Sequence, residues 1–188
     1  MQRDLVERAM AGDHDAFSEL ARASIDRLYV VARLILRDEG RAEDATQEAL
    51  VAAWRRLNGL RDPDRFEAWL HRLLVNACYR EARRDRRHRK IEVQVEALPM
   101  PEAPDAPGMD FDAADRDQLE RGFRRLDVDQ RTVLVMHYYL GFSLDDAAVV
   151  LGVPPGTVRS RLHRAINAMR AALEADARQP VLNQGRSA

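Results

Sequence analysis

Apolar residues along the chain recur at intervals of three and four, and no stretch shows the alternation of a half-buried strand. The pattern predicts a short helix over residues 2–11, ended by Gly12. A long helix follows over 14–37 behind an Asp13 N-cap, with Phe17, Leu20, Ala21, Leu28, Val31, Ala32 and Ile35 near one face. A third is predicted over 42–58, where Ala45, Ala49, Leu50, Ala53, Trp54 and Leu57 form the stripe. Gly59 and Pro63 then mark a loop. The cleanest stripe comes next: Phe66, Trp69, Leu70, Leu73, Leu74, Ala77 and Cys78, starting after Asp64 as N-cap. Both Trp54 and Trp69 are expected in the core. This helix continues past its apolar residues into 79–90, whose seven basic and two acidic side chains exclude burial.

The periodicity stops at residue 91. Four of the eight prolines fall between Pro99 and Pro107, Gly108 follows, and acidic residues are scattered throughout. That composition predicts a flexible acidic linker over 91–113, with a contour of roughly 70 Å at about 3.1 Å per residue. Helical spacing returns over 114–126 and 128–140, broken near Asp127, and again over 144–151 and 156–174. The expected fold is all-α. Two small helical domains, residues 1–90 and 114–174, are joined by the linker, and a polar tail covers 175–188.

Charge sharpens this division. The net charge of the 188-residue chain is only -1, yet it is blocked. Residues 58–90 carry ten basic and five acidic side chains, 91–120 carry one and nine, and 151–188 carry six and two. Two basic surfaces parted by an acidic segment suit two contacts with a polyanion. Arginine supplies 29 of the 30 basic side chains, and its fork suits phosphate and base edges.

Candidate chemistry is sparse. One cysteine, Cys78, excludes an intramolecular disulfide framework. No apolar run reaches the 18 or so residues of a membrane span, and the charged N-terminus is unlike a signal peptide. A cytoplasmic protein with no membrane insertion is expected. His14, His71, His88, His137 and His163 form no metal-ligand spacing, and neither a Walker loop nor GxGxxG occurs. No metal, no cofactor and no enzymatic activity is expected.

The strongest motif is SLDDAAVVLGVPPGTVRSRLHRA, residues 143–165. With Gly152 at the ninth position of a helix-turn-helix, Ala148 falls at the fifth, where the helices cross, and Val158 at the fifteenth, beneath the second helix. Ser143 is placed to cap the first helix and Pro155 to open the second. The second helix buries Val158, Leu162, Ala165, Ile166, Met169 and Leu173, leaving Arg159, Ser160, Arg161, His163, Arg164 and Asn167 on the other face. A recognition helix in the major groove is the natural use of such a face.

Three segments in order resemble the extracytoplasmic-function (ECF) group of bacterial sigma factors. AEDATQEALVAAWRRL, residues 42–57, is similar to that group's polymerase-clamp helix. FEAWLHRLLVNACYREARRDRR, residues 66–87, is similar to its promoter-melting helix, and GTVRSRLHRA, residues 156–165, lies within its reader of the upstream promoter element. The resemblance implies a factor that binds core RNA polymerase and directs promoter recognition, DNA melting and transcription initiation. It places Asp44, Gln47, Glu48 and Arg55 on the clamp face. It places the loop 60–65, including Arg61, with Asn76 and Arg80 around a flipped -10 base, and Arg83, Arg84, Arg86 and Arg87 on phosphates. At the -35 element it implies base contacts from Ser160, His163 and Arg164 and phosphate contacts from Arg159 and Arg161. Promoter DNA and core polymerase are the implied partners. Many family members are also held inactive by an anti-sigma factor, so such a factor is a candidate partner.

Two other uses of these residues stand beside this one. A stand-alone helix-turn-helix regulator would use 143–173 and leave 42–87 idle, whereas a sigma mimic that titrates an anti-sigma factor would need the apolar stripes but not the arginines.

Overall fold

The structure, a computed structural model, describes residues 2–88 and 113–178, with side chains for 2–84 and 118–175. Every regular element among the described residues is helical, in agreement with the all-α expectation. The chain divides into two compact units, Met1–Glu102 and Ala103–Ala188. The predicted linker lies outside the described residues except for Ala113, which opens a helix.

The first unit holds α1 (Gln2–Met10), α2 (His14–Leu36), α3 (Glu39–Arg56) and α4 (Phe66–His88). Asp13 caps α2 as expected, its carboxylate accepting from the backbone N–H of Asp15 and Ala16. Those backbone bonds, and then Arg8, hold its carboxyl below the ordinary aspartate range. Helix α3 starts three residues earlier than the apolar pattern indicates, because Asp38 caps it through the Arg41 amide. Ala42, Ala45, Ala49 and Ala53 form a fully buried line along α3. With no side chain beyond Cβ, this line lets α3 pack closely against both α2 and α4. Leu28, Val31 and Ile35 of α2 and Leu70, Leu74 and Val75 of α4 complete the core. Burying each such side chain is worth about 1.5–3 kcal/mol.

The start of α4 differs in detail from the expectation. Asp62, not Asp64, is the local cap: it accepts from the Asp64 amide and opens a 3-10 turn at Pro63–Arg65. The Asp64 carboxylate instead takes Arg3 Nη1 of α1 at 2.7 Å. Cys78 lies in the core, and burial pushes its thiol well above the ordinary range, which removes it as a nucleophile.

The second unit holds α5 (Ala113–Arg124), α6 (Val128–Leu134), α7 (Leu144–Leu151) and α8 (Pro155–Arg178). Asp127 breaks α5 from α6 through a capping box: it accepts from the Gln130 amide at 2.8 Å, and the Gln130 side chain accepts from the Asp127 amide at 3.0 Å. Beyond Leu134 the helix widens into a π turn, Val135–Tyr139, where a uniform helix to 140 was expected. The Leu140 amide reaches back to the Val135 carbonyl, and His137 Nδ1 lies 3.0 Å from the Phe142 carbonyl. Helix α8 packs against α5, α6 and α7 and is the central helix of the unit.

Candidate nucleic-acid interface

The helix-turn-helix forms where the motif places it. The Ser143 hydroxyl accepts from the Asp146 amide at 3.0 Å and donates to the Asp146 carboxylate at 2.7 Å, which starts α7. Gly152 ends α7 in the left-handed region, with φ 63°. The Val153 amide then reaches the Ala148 carbonyl at 3.2 Å, the six-to-one bond of a Schellman turn. Ala148 and Val158 are buried where α7 and α8 cross.

Along α8, Arg159, Ser160, His163, Arg164 and Asn167 are exposed. The Ser160 hydroxyl donates back to the Thr157 carbonyl, and Arg164 Nε donates to the Ser160 carbonyl at 3.3 Å. His163 Nε2 and Asn167 Nδ2 lie 2.9 Å apart. Arg159 Nη2 approaches Asp145 of α7 at 3.4 Å in an open pair. Arg161 is set apart: its side chain is 18% exposed and its Nη2 lies 3.0 Å from Asp129 of α6.

In the first unit, Arg61, Asn76, Arg80, Arg83 and Arg84 are all exposed. Asn76, Arg80 and Arg83 follow one another at helical spacing on α4, which lines them along one edge. Arg84 Nη1 pairs with Glu81 at 2.6 Å; Glu81 and Ala82 are buried, against the expectation that the charged end of this helix lies wholly outside the core. Arg86 and Arg87 lie outside the residues whose side chains are described.

On α3, Asp44, Gln47 and Arg55 are exposed, and Glu48 is half-buried. Glu48 Oε1 accepts from Arg80 Nε at 3.0 Å, so one clamp candidate and one -10 candidate touch. Sequence reasoning missed two neighbours on this face. Trp54, expected in the core, is 38% exposed, and Val51 is 47% exposed. The indole is flanked by His14 and Phe17 of α2, with ring centroids 4.7 and 4.9 Å away. The usable signal is the alanine line: Ala49 and Ala53 claim the core register, which turns Val51 and Trp54 outward. Trp69 is partly buried and lies 6.1 Å from Phe66.

Residues 20–88 match the family Sigma-70 region 2, and residues 116–169 match Sigma-70, region 4. The ECF RNA polymerase sigma factor SigM of Mycobacterium tuberculosis is 35% identical over 170 residues, covering 86% of this chain and 79% of that protein. The chain belongs to the ECF RNA polymerase sigma factors. RNA polymerase sigma factor CnrH of Cupriavidus metallidurans is 35% identical over 183 residues, covering 93% of this ECF sigma factor and 95% of CnrH. Two solved structures agree in fold. One, of CnrH in complex with the cytosolic domain of CnrY, has a TM-score of 0.61 at 29% identity and covers 93% of this chain and 98% of that one. The other, of the sigma factor RpoE with the anti-sigma factor NepR from Bartonella quintana, has a TM-score of 0.64 at 27% identity and covers 85% and 98%.

As an ECF sigma factor the protein recognises promoters and initiates transcription by RNA polymerase. The Sigma-70 region 2 match runs from within α2 to the end of α4, and the region 4 match from within α5 into α8. Among the described residues no helix is long and apolar enough to cross a membrane, and no cluster of His, Cys, Asp and Glu could hold a metal ion.

Proposed function

We propose that the two units divide the promoter between them. Residues 1–90 bind core polymerase and open the -10 element, 91–113 connect, and 114–174 read the -35 element as duplex; α8 runs on to Arg178, four residues into the expected tail. The exposed face of α8 carries this reading: Ser160, His163 and Arg164 point away from the buried Val158 stripe, on a helix led by a helix-turn-helix. Ser160, His163 and Arg164 contact base edges, and Arg159 contacts phosphate. Arg161 belongs to the same surface by sequence but pairs with Asp129 of α6.

In the first unit Asn76 and Arg80 capture the unstacked -10 base with help from Arg61, and Arg83, Arg84 and Arg87 hold phosphates. Unstacking a base costs a few kcal/mol, so a shaped pocket and not charge alone must supply selectivity. Asp44, Gln47, Glu48 and Arg55 meet the polymerase clamp, and the exposed Val51 and Trp54 supply its apolar anchors. The protein is a regulatory DNA-binding factor without catalytic activity or cofactor, and it acts in the cytoplasm beside the polymerase. Since the matched structures hold CnrY and NepR, an anti-sigma factor is a natural antagonist of this chain too.

Run-off transcription with purified core polymerase on a genomic promoter library tests the reading. Discrete start sites sharing a -10 and a -35 sequence are expected, with weak duplex binding by the free chain at physiological salt. Tight, sequence-specific binding without polymerase would favour a stand-alone regulator instead.

A further inference from the structure

On a helix turning about 100° per residue, Ser160, His163 and Arg164 lie roughly 120–160° from the buried Val158, and Arg161 only about 60°. Arg161 therefore stands at the margin of the apolar stripe, not on the outward face. Its side chain is 18% exposed, against 61% for Arg159. Its partner Asp129 is 24% exposed and occupies the first turn of α6, where the helix N-terminus also favours a negative charge. Helices α6 and α8 pack against each other, and each carries a fully buried valine, Val133 and Val158. For Arg161 to reach a phosphate it would have to leave a largely shielded carboxylate uncompensated, which opposes the move.

We infer that Arg161 is a strut fixing the recognition helix against α6, and that Asp129 is a positioning residue for -35 readout although it lies off the reading face. The inference rests on the groove reading of α8. Base contacts depend on placement to within roughly half an ångström. Ser160, His163 and Arg164 ride on one rigid helix, so a small rotation of α8 displaces all three together. Loss of the strut then blurs several -35 positions at once, whereas loss of one reader blurs one.

The test uses holoenzyme assembled from core polymerase and full-length variants. Promoter binding is measured across a salt series and across every single-base variant of the -35 element. Arg159→Ala is expected to lower the salt slope by about one, and Arg161→Ala to leave it unchanged. Arg161→Ala and Asp129→Ala should each flatten preference at several positions, with the double variant no flatter than either single one. Arg161→Lys, which keeps the ion pair, should retain the native profile. Should Arg161→Ala fail to fold, Asp129→Asn decides: a profile blurred at several positions supports the strut, and an intact one overturns it. A salt slope lowered by about one in Arg161→Ala, beside the same drop in Arg159→Ala, overturns the strut and leaves the groove reading standing. If neither variant changes the slope, α8 is not on the phosphates, and the groove reading and the strut's role in specificity fall together.

Discussion

Arg80 Nε on α4 lies 3.0 Å from Glu48 Oε1 on α3, joining the face proposed for polymerase to the edge proposed for the -10 element. The bond is made through Nε of the guanidinium fork. Both side chains reach solvent, so the pair is worth only about 0.2–1 kcal/mol to stability. Its larger effect is to fix where the fork points. With polymerase held in excess, so that binding is saturated, Glu48→Gln should still reduce promoter opening. Adding it to Arg80→Ala should reduce opening no further. Permanganate reactivity of -10 thymines reads both variants; additive losses would mean that the two residues act separately.

Asn76 is exposed one turn before Arg80, between the buried Val75 and Ala77. Removing an exposed side chain from a helix away from caps and ion pairs changes stability by less than about 0.5 kcal/mol. Asn76→Ala should therefore fold and compete for core polymerase normally while opening promoters poorly. Normal permanganate reactivity with this variant would remove Asn76 from the base pocket.

Two glycines of the second unit are required for opposite reasons. Gly152 has φ 63°, and an added Cβ would meet nothing within 4 Å. Gly152→Ala then costs only backbone strain, about 1–2 kcal/mol, and Gly152→Asn less. Gly122 has ordinary helical geometry, but an added Cβ would stand 2.6 Å from Met169 Sδ of α8. Because the obstacle is the end of a flexible side chain, shortening it with Met169→Ala should partly rescue Gly122→Ala and do nothing for Gly152→Ala. Thermal unfolding of the single variants and of the two double variants with Met169→Ala checks the contrast.

What the sequence made legible was local. Ser143, Gly152 and Val158 answer to one short backbone motif, Asp13 to a cap, and the break near Asp127 to a capping box a few residues long. The misplaced features depend on the packing of distant segments. Trp54 stands one residue beyond Ala53, and periodicity cannot decide which of two adjacent lines is core until α2 and α4 both close on the alanines. The pairs Glu48–Arg80 and Asp129–Arg161 each join residues 32 positions apart on different helices. A basic residue near a recognition face reads as a DNA contact until its carboxylate is seen. The π turn at Val135–Tyr139 carries no mark in the apolar spacing, because one extra residue per turn is absorbed at the helix end.

The reading face of α8 yields the sharpest contrast between neighbours. Arg164 is exposed one turn beyond Ser160, and its Nε rests on the Ser160 carbonyl at 3.3 Å, a weak contact easily exchanged for a base edge. Arg159 leans towards Asp145 on α7 at 3.4 Å, on the flank of the same face, where the phosphate backbone would pass. Arg164→Ala should cost about 1–3 kcal/mol on the preferred promoter and relax a single -35 position. Arg159→Ala should weaken all sequences alike. Its cost should shrink as salt is raised, because the lost contact is one of counterion release. Asp145→Asn, which removes the acid beside Arg159, should strengthen binding to every sequence slightly without altering preference. Promoter activity of each variant across all single-base -35 substitutions distinguishes these outcomes. A uniform loss in the Arg164 variant, with no position relaxed, would reduce Arg164 to a source of general attraction and leave Ser160 and His163 as the readers.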